Sequence, residues 1–378
     1  MQANPICTDK RFPFAHDTMK TRIPEIIRDI QARNTFSEHI NHALDDLYHS
    51  LMTNAVLPPP DYLAPDASLW QVDFADKTSL RWQSIEWYFA EMHFFREIIN
   101  RVQFWQTGHD PYHAMKNDEL YSAGFKAQLT YALTIDGHPD DVLREMLHLS
   151  LWGNRIDLSL PDAMAHGQHV DADDLLIDES DAVVATILDG QGAVHIITDN
   201  FGTELAMDLM LMTQLVRLGL LVIVHVKMNP TYVSDATAAD IRWMLTALPK
   251  IAPESNEMVA TLQAAINRGQ LRVQPDFFWH TSRFYDDLPS HIHKAFSQAR
   301  VIISKGDANY RRAVYDTIWD VETNFSAIVA PIPAPFVALR TLKSDPIVGI
   351  THSQAAMLDR EDSRWRVNGK RGVIQFSS

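Results

Sequence analysis

The sequence predicts an α/β protein: a doubly wound, mainly parallel three-layer α/β/α sheet with a helical N-terminal domain. Two observations carry this. Short, near-continuous apolar runs, AVHIIT (Ala193–Thr198), LLVIVHVK (Leu220–Lys227) and ARVIIS (Ala299–Ser304), alternate with segments of helical spacing. That is the pattern of parallel strands buried on both faces. Ahead of them, apolar residues recur mainly at helical intervals. The expected division is a helical domain over 1–165 and a Rossmann-like α/β domain over 166–378.

In chain order, Ile23, Ile26, Ile27 and Ile30 form a helical stripe, with Pro24 in a first turn. Trp82–Phe104 continues the pattern, and VLPPPDYLAPD (Val56–Asp66) is a Pro-rich loop or extended crossing. DELYSAGFKAQLTYALTI and DDVLREMLHLSLWGNRIDLS each read as a helix, and LPDAMAHGQHVDADD is turn-rich. DESDAVVATILDG and Glu204–Gly219 read as helices, as do Ala238–Leu248, Asn256–Asn267 and the segment NYRRAVYDTIW. Further strands are expected near Leu271–Gln274, Phe325–Ala330, Phe336–Leu339 and Gly372–Phe376.

Composition narrows the function. Lys and Arg total 33 against 48 Asp and Glu, a net charge of −15, which argues against nucleic acid or an anionic membrane as partner. Cys7 is the single cysteine, so one chain forms neither a disulfide nor a Cys-based zinc site. The N-terminus has no apolar signal-peptide core, and no apolar run approaches a membrane span. A cytoplasmic protein is expected, with a monomer favoured over an assembly.

Three polar motifs stand where a parallel sheet exposes its strand ends: IITDNFGTE (Ile196–Glu204), SKGDANYRR (Ser304–Arg312) and ALRTLK (Ala338–Lys343). Ligands collect beyond such ends. Asp199 and Asn200 supply oxygen ligands suited to Mg²⁺ or Mn²⁺; alternatively, Asp199 or Thr203 caps the following helix. Asp235, after the next strand, is a second carboxylate or else a helix cap. His225 within that strand reads as a core histidine more than as a ligand. Gly306 permits a sharp turn that leaves Asp307 at the edge, where Asn309 and Arg311 could reach the same space. Arg311 suits bidentate phosphate binding, and Arg312 is expected to face solvent. Arg340, Thr341 and Lys343 either decorate a surface or deliver a cation to the pocket. No glycine-rich dinucleotide fingerprint or P-loop is present.

These motifs also carry a resemblance. DNFGTE (Asp199–Glu204), VSD (Val233–Asp235), KGDANYR (Lys305–Arg311), RTLK (Arg340–Lys343) and LWGNRIDLS (Leu151–Ser159) resemble those of the metal-dependent damage-control phosphatases. That family is also named for an acidic-residue methyltransferase-like domain. The resemblance spans nearly the whole chain, and RTxK points to the sugar-phosphate subfamily. Thr203 departs from the pattern, where a bulkier residue is common. The resemblance implies one divalent ion, Mn²⁺ or Mg²⁺ first and Ni²⁺ or Co²⁺ as alternatives, on Asp199, Asn200 and Asp235. It implies substrate contacts from Glu204, Asp307, Ala308, Asn309, Tyr310, Arg311 and Lys343. Arg340 and Thr341 join them through the RTLK motif. Asn154, Arg155 and Asp157 either send polar groups to the same site or form an ion-pair staple between the two parts.

The expected activity is hydrolysis of a small phosphomonoester such as fructose 1-phosphate or fructose 6-phosphate. Asp199, Asn200, Asp307 and Lys343 form its catalytic set, with Asp307 orienting water or acting as base. Attack by metal-activated water is favoured over an aspartyl-phosphate on Asp199. The alternatives are an S-adenosylmethionine-dependent carboxyl methyltransferase and a non-catalytic sugar-phosphate-binding protein.

Overall fold

The computed structural model describes residues 4–61, 63–153 and 172–378; the boundary expected between residues 165 and 166 lies outside them. The described strands are β1 (Asn4–Pro5), β2 (Leu175–Asp178), β3 (Ala193–Ile197), β4 (Val222–Lys227), β5 (Leu271–Asp276), β6 (Ala299–Lys305), β7 (Thr317–Ile318), β8 (Phe336–Thr341) and β9 (Gly372–Ser377). β1 and β7 form a short antiparallel pair. The others build one sheet in the order β2-β9-β8-β6-β3-β4-β5. β3, β4, β5, β6 and β8 run parallel. β9 is antiparallel to β8, and β2 follows β9.

Helices cover both faces of this sheet, as the apolar strands require, giving the expected three layers. Alternation along the strands assigns the faces. Val194, Ile196, Val301 and Ile303 pack in one cluster with the helices Pro139–Trp152 and Thr203–Arg217. Ile197 and Ile302 face the other way, toward Trp279, Phe296 and Trp365. Thr203–Arg217 is buried almost all round, so each of its leucines contributes about 1.5–3 kcal/mol of burial.

Before the sheet, the described residues are mainly helical, and the Ile23–Ile30 stripe faces inward. Their own apolar cluster includes Trp70, Trp82, Phe94 and Phe95. A buried charge joins this part to the sheet's helices. Lys116 Nζ lies 2.9 Å from both Asp110 Oδ2 and Asp240 Oδ2. Asp240 also closes a capping box with Thr237 at the start of Ala238–Ile251. Among the described residues no helix is long and apolar enough to cross a membrane.

Several local expectations change. Phe325–Val329 is a helix, not a strand, because Asn324 accepts from the Ala327 N–H and caps it. The segment DELYSAGFKAQLTYALTI is two helices, broken where Ser122 caps the second. The Trp82–Phe104 helix begins only at Trp87. The helix after Gly306 ends at Ala313, and left-handed Tyr315 and Asp316 turn the chain into β7. β2 and the helix His352–Glu361 were not expected; the latter starts with a Thr351–Gln354 capping box.

Replacing Lys116 by Met should leave two carboxylates without their shared cation. Removing one partner of a buried ion pair typically destabilises by about 3–5 kcal/mol. Urea unfolding of Lys116→Met should show a loss of that order; a loss below about 1 kcal/mol would contradict a structural role for this pair.

Candidate active site

The parallel strands change direction of winding at β3. β4 lies on one side of it and β6 on the other, so the crevice beyond the ends of β3 and β6 is a topological switch point. Thr198, Asp199 and Asn200 follow β3. Gly202, at φ +88°, turns the chain into Thr203–Arg217 and is its N-cap without a side-chain bond. The loop after β4 comes back to meet this one. Phe201 N–H donates to Ser234 O at 2.6 Å and Ala236 N–H to Asp199 O at 2.7 Å. Asn200 and Asp235 form an isolated antiparallel bridge. Thr237, not Asp235, caps the next helix. Neither Asp199 nor Asp235 is therefore occupied as a helix cap.

Asp199, Glu204 and Asp235 are all buried. Burial first, then repulsion from Glu204 and Asp235, pushes the Asp199 carboxyl well above the usual range, against the pull of Lys343 and Lys227. Burial also raises Asp235, which Lys227 partly offsets from 3.0 Å. Asn200 Nδ2 donates to Asp199 Oδ2 at 2.7 Å and to Glu204 Oε2 at 3.0 Å. Its Oδ1 accepts from Ser234 Oγ at 2.6 Å, on the loop that carries Asp235. These oxygens suit a hard divalent ion, whose charge would offset the repulsion. Among the described residues no group of three His, Cys, Asp or Glu side chains forms a ready metal cluster. Two carboxylates and an amide instead match an ion that keeps positions for water and phosphate.

The opposite wall comes from β6. Gly306 sits at φ +82°, and a Cβ there would collide with the Asp199 carboxylate, so glycine is needed for conformation and for space. Lys305 is fully buried. Its Nζ lies 2.9 Å from Glu204 Oε1 and 3.0 Å from Asp208 Oδ1, and donates to Ser150 O. Burial, opposed by Lys305, lifts the Asp208 carboxyl to about 6. Asp307 Oδ1 accepts from Arg340 Nε at 2.7 Å and from the Lys343 N–H at 3.0 Å. Burial alone would raise Asp307, but Arg340 and Arg311 bring it below its ordinary value. It is a committed anion and a weak base.

The structure thus gathers Asp199, Asn200, Glu204 and Asp235, with Asp307 and Lys343 on the adjoining loops. Other expected substrate residues point inward. Arg311 binds both oxygens of Asp316 at 2.7 and 2.9 Å, reaches Glu91 Oε2 at 2.5 Å and stacks 3.7 Å over Trp87. Asn309 Nδ2 donates to Thr198 O at 3.2 Å and Lys305 O at 2.9 Å, tying the two loops together. Tyr310 stacks on Phe325, and the Arg340 guanidinium lies 4.1 Å from the centre of its ring while binding Ser344. Thr341 is buried and Ala308 half-buried. Arg312, expected toward solvent, is fully buried because the carbonyls of Trp279, Thr281 and Arg283 take its guanidinium. Asn154, Arg155 and Asp157 lie outside the described residues.

Sequence reasoning missed Lys227, Lys305, Asp208 and Glu119. The lysines end the apolar runs of β4 and β6, a position that could have marked them. Glu119 Oε1 accepts the Thr203 N–H at 2.8 Å, bringing the helical part to the start of the buried helix. His225 pairs with His195 at 2.9 Å inside the sheet.

A family model described as the damage-control phosphatase ARMT1-like domain matches residues 7–358. Damage-control phosphatase ARMT1 of Danio rerio is 27% identical, over 97% of this chain and 95% of that protein. The proteins of that name from Rattus norvegicus and Homo sapiens are 25% and 24% identical, each over 96% of both chains. A crystal structure of a DUF89 family protein from Pyrococcus horikoshii superposes with a TM-score of 0.53, covering 96% of this chain and 98% of that one at 16% identity. That likeness concerns the fold.

Gly306→Ala tests the packing of the two loops. Strain at this φ should cost about 1–3 kcal/mol in urea unfolding. Displacing Asp199 should lower phosphatase activity on the order of 10²-fold. Activity within about twofold of wild type would show that Asp199 does not depend on this contact.

Proposed function

The chain belongs to the damage-control phosphatase ARMT1-like family and is a metal-dependent phosphomonoester hydrolase, and from that premise we propose that it acts on small sugar phosphates, fructose 1-phosphate or fructose 6-phosphate among them. One observation carries the site assignment: Asp199, Asn200 and Asp235 meet at the switch point, within electrostatic reach of Lys343. The RTLK motif and the net charge of −15 support a small polyol phosphate over extended polyanions.

In this reading Asp199, Asn200 and Asp235 hold the ion, Mn²⁺ or Mg²⁺ first and Ni²⁺ or Co²⁺ as alternatives. When bound, the ion supplies Lewis-acid polarisation of the phosphoryl group and a nucleophile at neutral pH. Lys343 neutralises phosphoryl oxygens as charge builds during transfer. Glu204 has one oxygen on Lys305 and the other on Asn200. It therefore orients the amide ligand, a role we favour over contact with sugar hydroxyls. Asp307, held by Arg340, fixes the backbone of Lys343 in place of acting as base. Arg311 and Asn309 hold the loop's shape.

Phosphate release should vanish with EDTA and return with Mn²⁺. At fixed Mn²⁺, kcat/KM for fructose 1-phosphate or fructose 6-phosphate should exceed that for AMP or a phosphopeptide by about tenfold or more, with ribose 5-phosphate as an intermediate probe. If AMP or the phosphopeptide is preferred by a similar factor, the sugar-phosphate reading is wrong.

Lys343→Met keeps most of the stem and removes the charge. It should lower kcat/KM by roughly 10²–10³-fold with the thermal unfolding profile retained. Unchanged kinetics in the metal-loaded variant would remove Lys343 from the site.

A further inference from the structure

The loop that carries Asp235 is anchored in the helical part of the chain, not only in the sheet. Tyr232 and Val233 pack against the N-terminal apolar cluster. The Tyr232 ring lies 4.8 Å from Phe95, and its hydroxyl donates to Glu91 Oε2 at 3.1 Å. Glu91 and Phe95 both sit on the helix Trp87–Arg101, and Glu91 is buried. The same carboxylate oxygen accepts from Arg311 at 2.5 Å. Arg311 is held in turn by Asp316 and by the face of Trp87, so Glu91 is fixed from two sides.

This anchor acts on a strained turn. Tyr232 and Val233 are both left-handed, at φ +46° and +69°. A β-branched valine there is costly and persists only where surrounding contacts enforce it. The turn folds back on itself through Ser234 N–H to Tyr232 O at 2.8 Å and Asp235 N–H to Thr231 O at 3.1 Å. It delivers Ser234 to Asn200 and Asp235 to the crevice. The phenol of Tyr232 is thus a polar link between a buried helix and the turn that sets a proposed metal ligand.

We propose that Glu91 is a positioning residue for the metal site: through the Tyr232 hydroxyl it holds the left-handed turn that sets Asp235 beside Asp199 and Asn200. The helical part of the chain thereby tunes the affinity of the ion. This rests on the assignment of Asp235 as a ligand. Groups that orient metal ligands without touching the metal commonly change affinity by about 10–100-fold.

The test is Mn²⁺ titration calorimetry on the full chain for wild type, Tyr232→Phe, Glu91→Leu, the double variant and Asp235→Asn, with circular dichroism on each. Tyr232→Phe keeps the ring and its packing, so it stays informative if Glu91→Leu fails to fold. Tyr232→Phe should bind Mn²⁺ about tenfold more weakly with an unchanged fold, and excess Mn²⁺ should restore kcat on p-nitrophenyl phosphate. The double variant should be no weaker than Glu91→Leu alone, because that substitution already removes the link that Tyr232→Phe breaks. Wild-type Mn²⁺ affinity in Tyr232→Phe, alongside its loss in Asp235→Asn, would overturn the positioning role and leave the metal site standing. Wild-type affinity in Asp235→Asn would overturn both.

Discussion

The rest of the structure turns on one electrostatic constraint: Asp199, Glu204 and Asp235 are buried together at the switch point of a parallel sheet. Carboxylates so placed repel and lose hydration, which is why the Asp199 carboxyl is pushed so far up. The chain answers with buried cations at the strand ends. Lys305 neutralises Glu204 and Asp208, and Lys227 faces Asp235. A divalent ion would complete this balance where two loops already clasp one another. Gly306 then allows the β6 loop to close against Asp199 with no intervening side chain.

A second layer of charge fixes the loops that surround the crevice. Arg340 holds Asp307, Asp307 holds the Lys343 backbone, and Arg311 holds Asp316 and Glu91. These pairs lie in low dielectric, where each is sensitive to the loss of its partner. One of them reaches into the helical part through Glu91, and Glu119 and Lys116 tie that part to Thr203 and Asp240 as well. The helical part is therefore a structural component of the site.

Much of this was legible in the sequence for a simple reason. Apolar runs that end in polar residues announce parallel strands and their functional edge, so Asp199, Asn200, Asp235 and Asp307 could be picked out as strand-end groups. The roles of Arg311, Arg312 and Arg340 were not legible. Arg311 looks locally like a phosphate ligand; Asp316, one of its partners, is five residues on, but Glu91 is 220 residues away and leaves no local trace. Phe325–Val329 was ambiguous because a run of four apolar residues and one serine fits either period, and the Asn324 cap decides for helix. β2 is short and follows a turn-rich stretch, so no periodicity could reveal it.

The central claim is that Asp199, Asn200 and Asp235 jointly hold the catalytic ion. Anomalous diffraction at the manganese edge from Mn²⁺-soaked crystals tests it most directly. The account predicts one strong peak at roughly 2.0–2.6 Å from oxygens of all three side chains. A peak elsewhere, or Asp199 and Asp235 too far apart to share the ion, would contradict it.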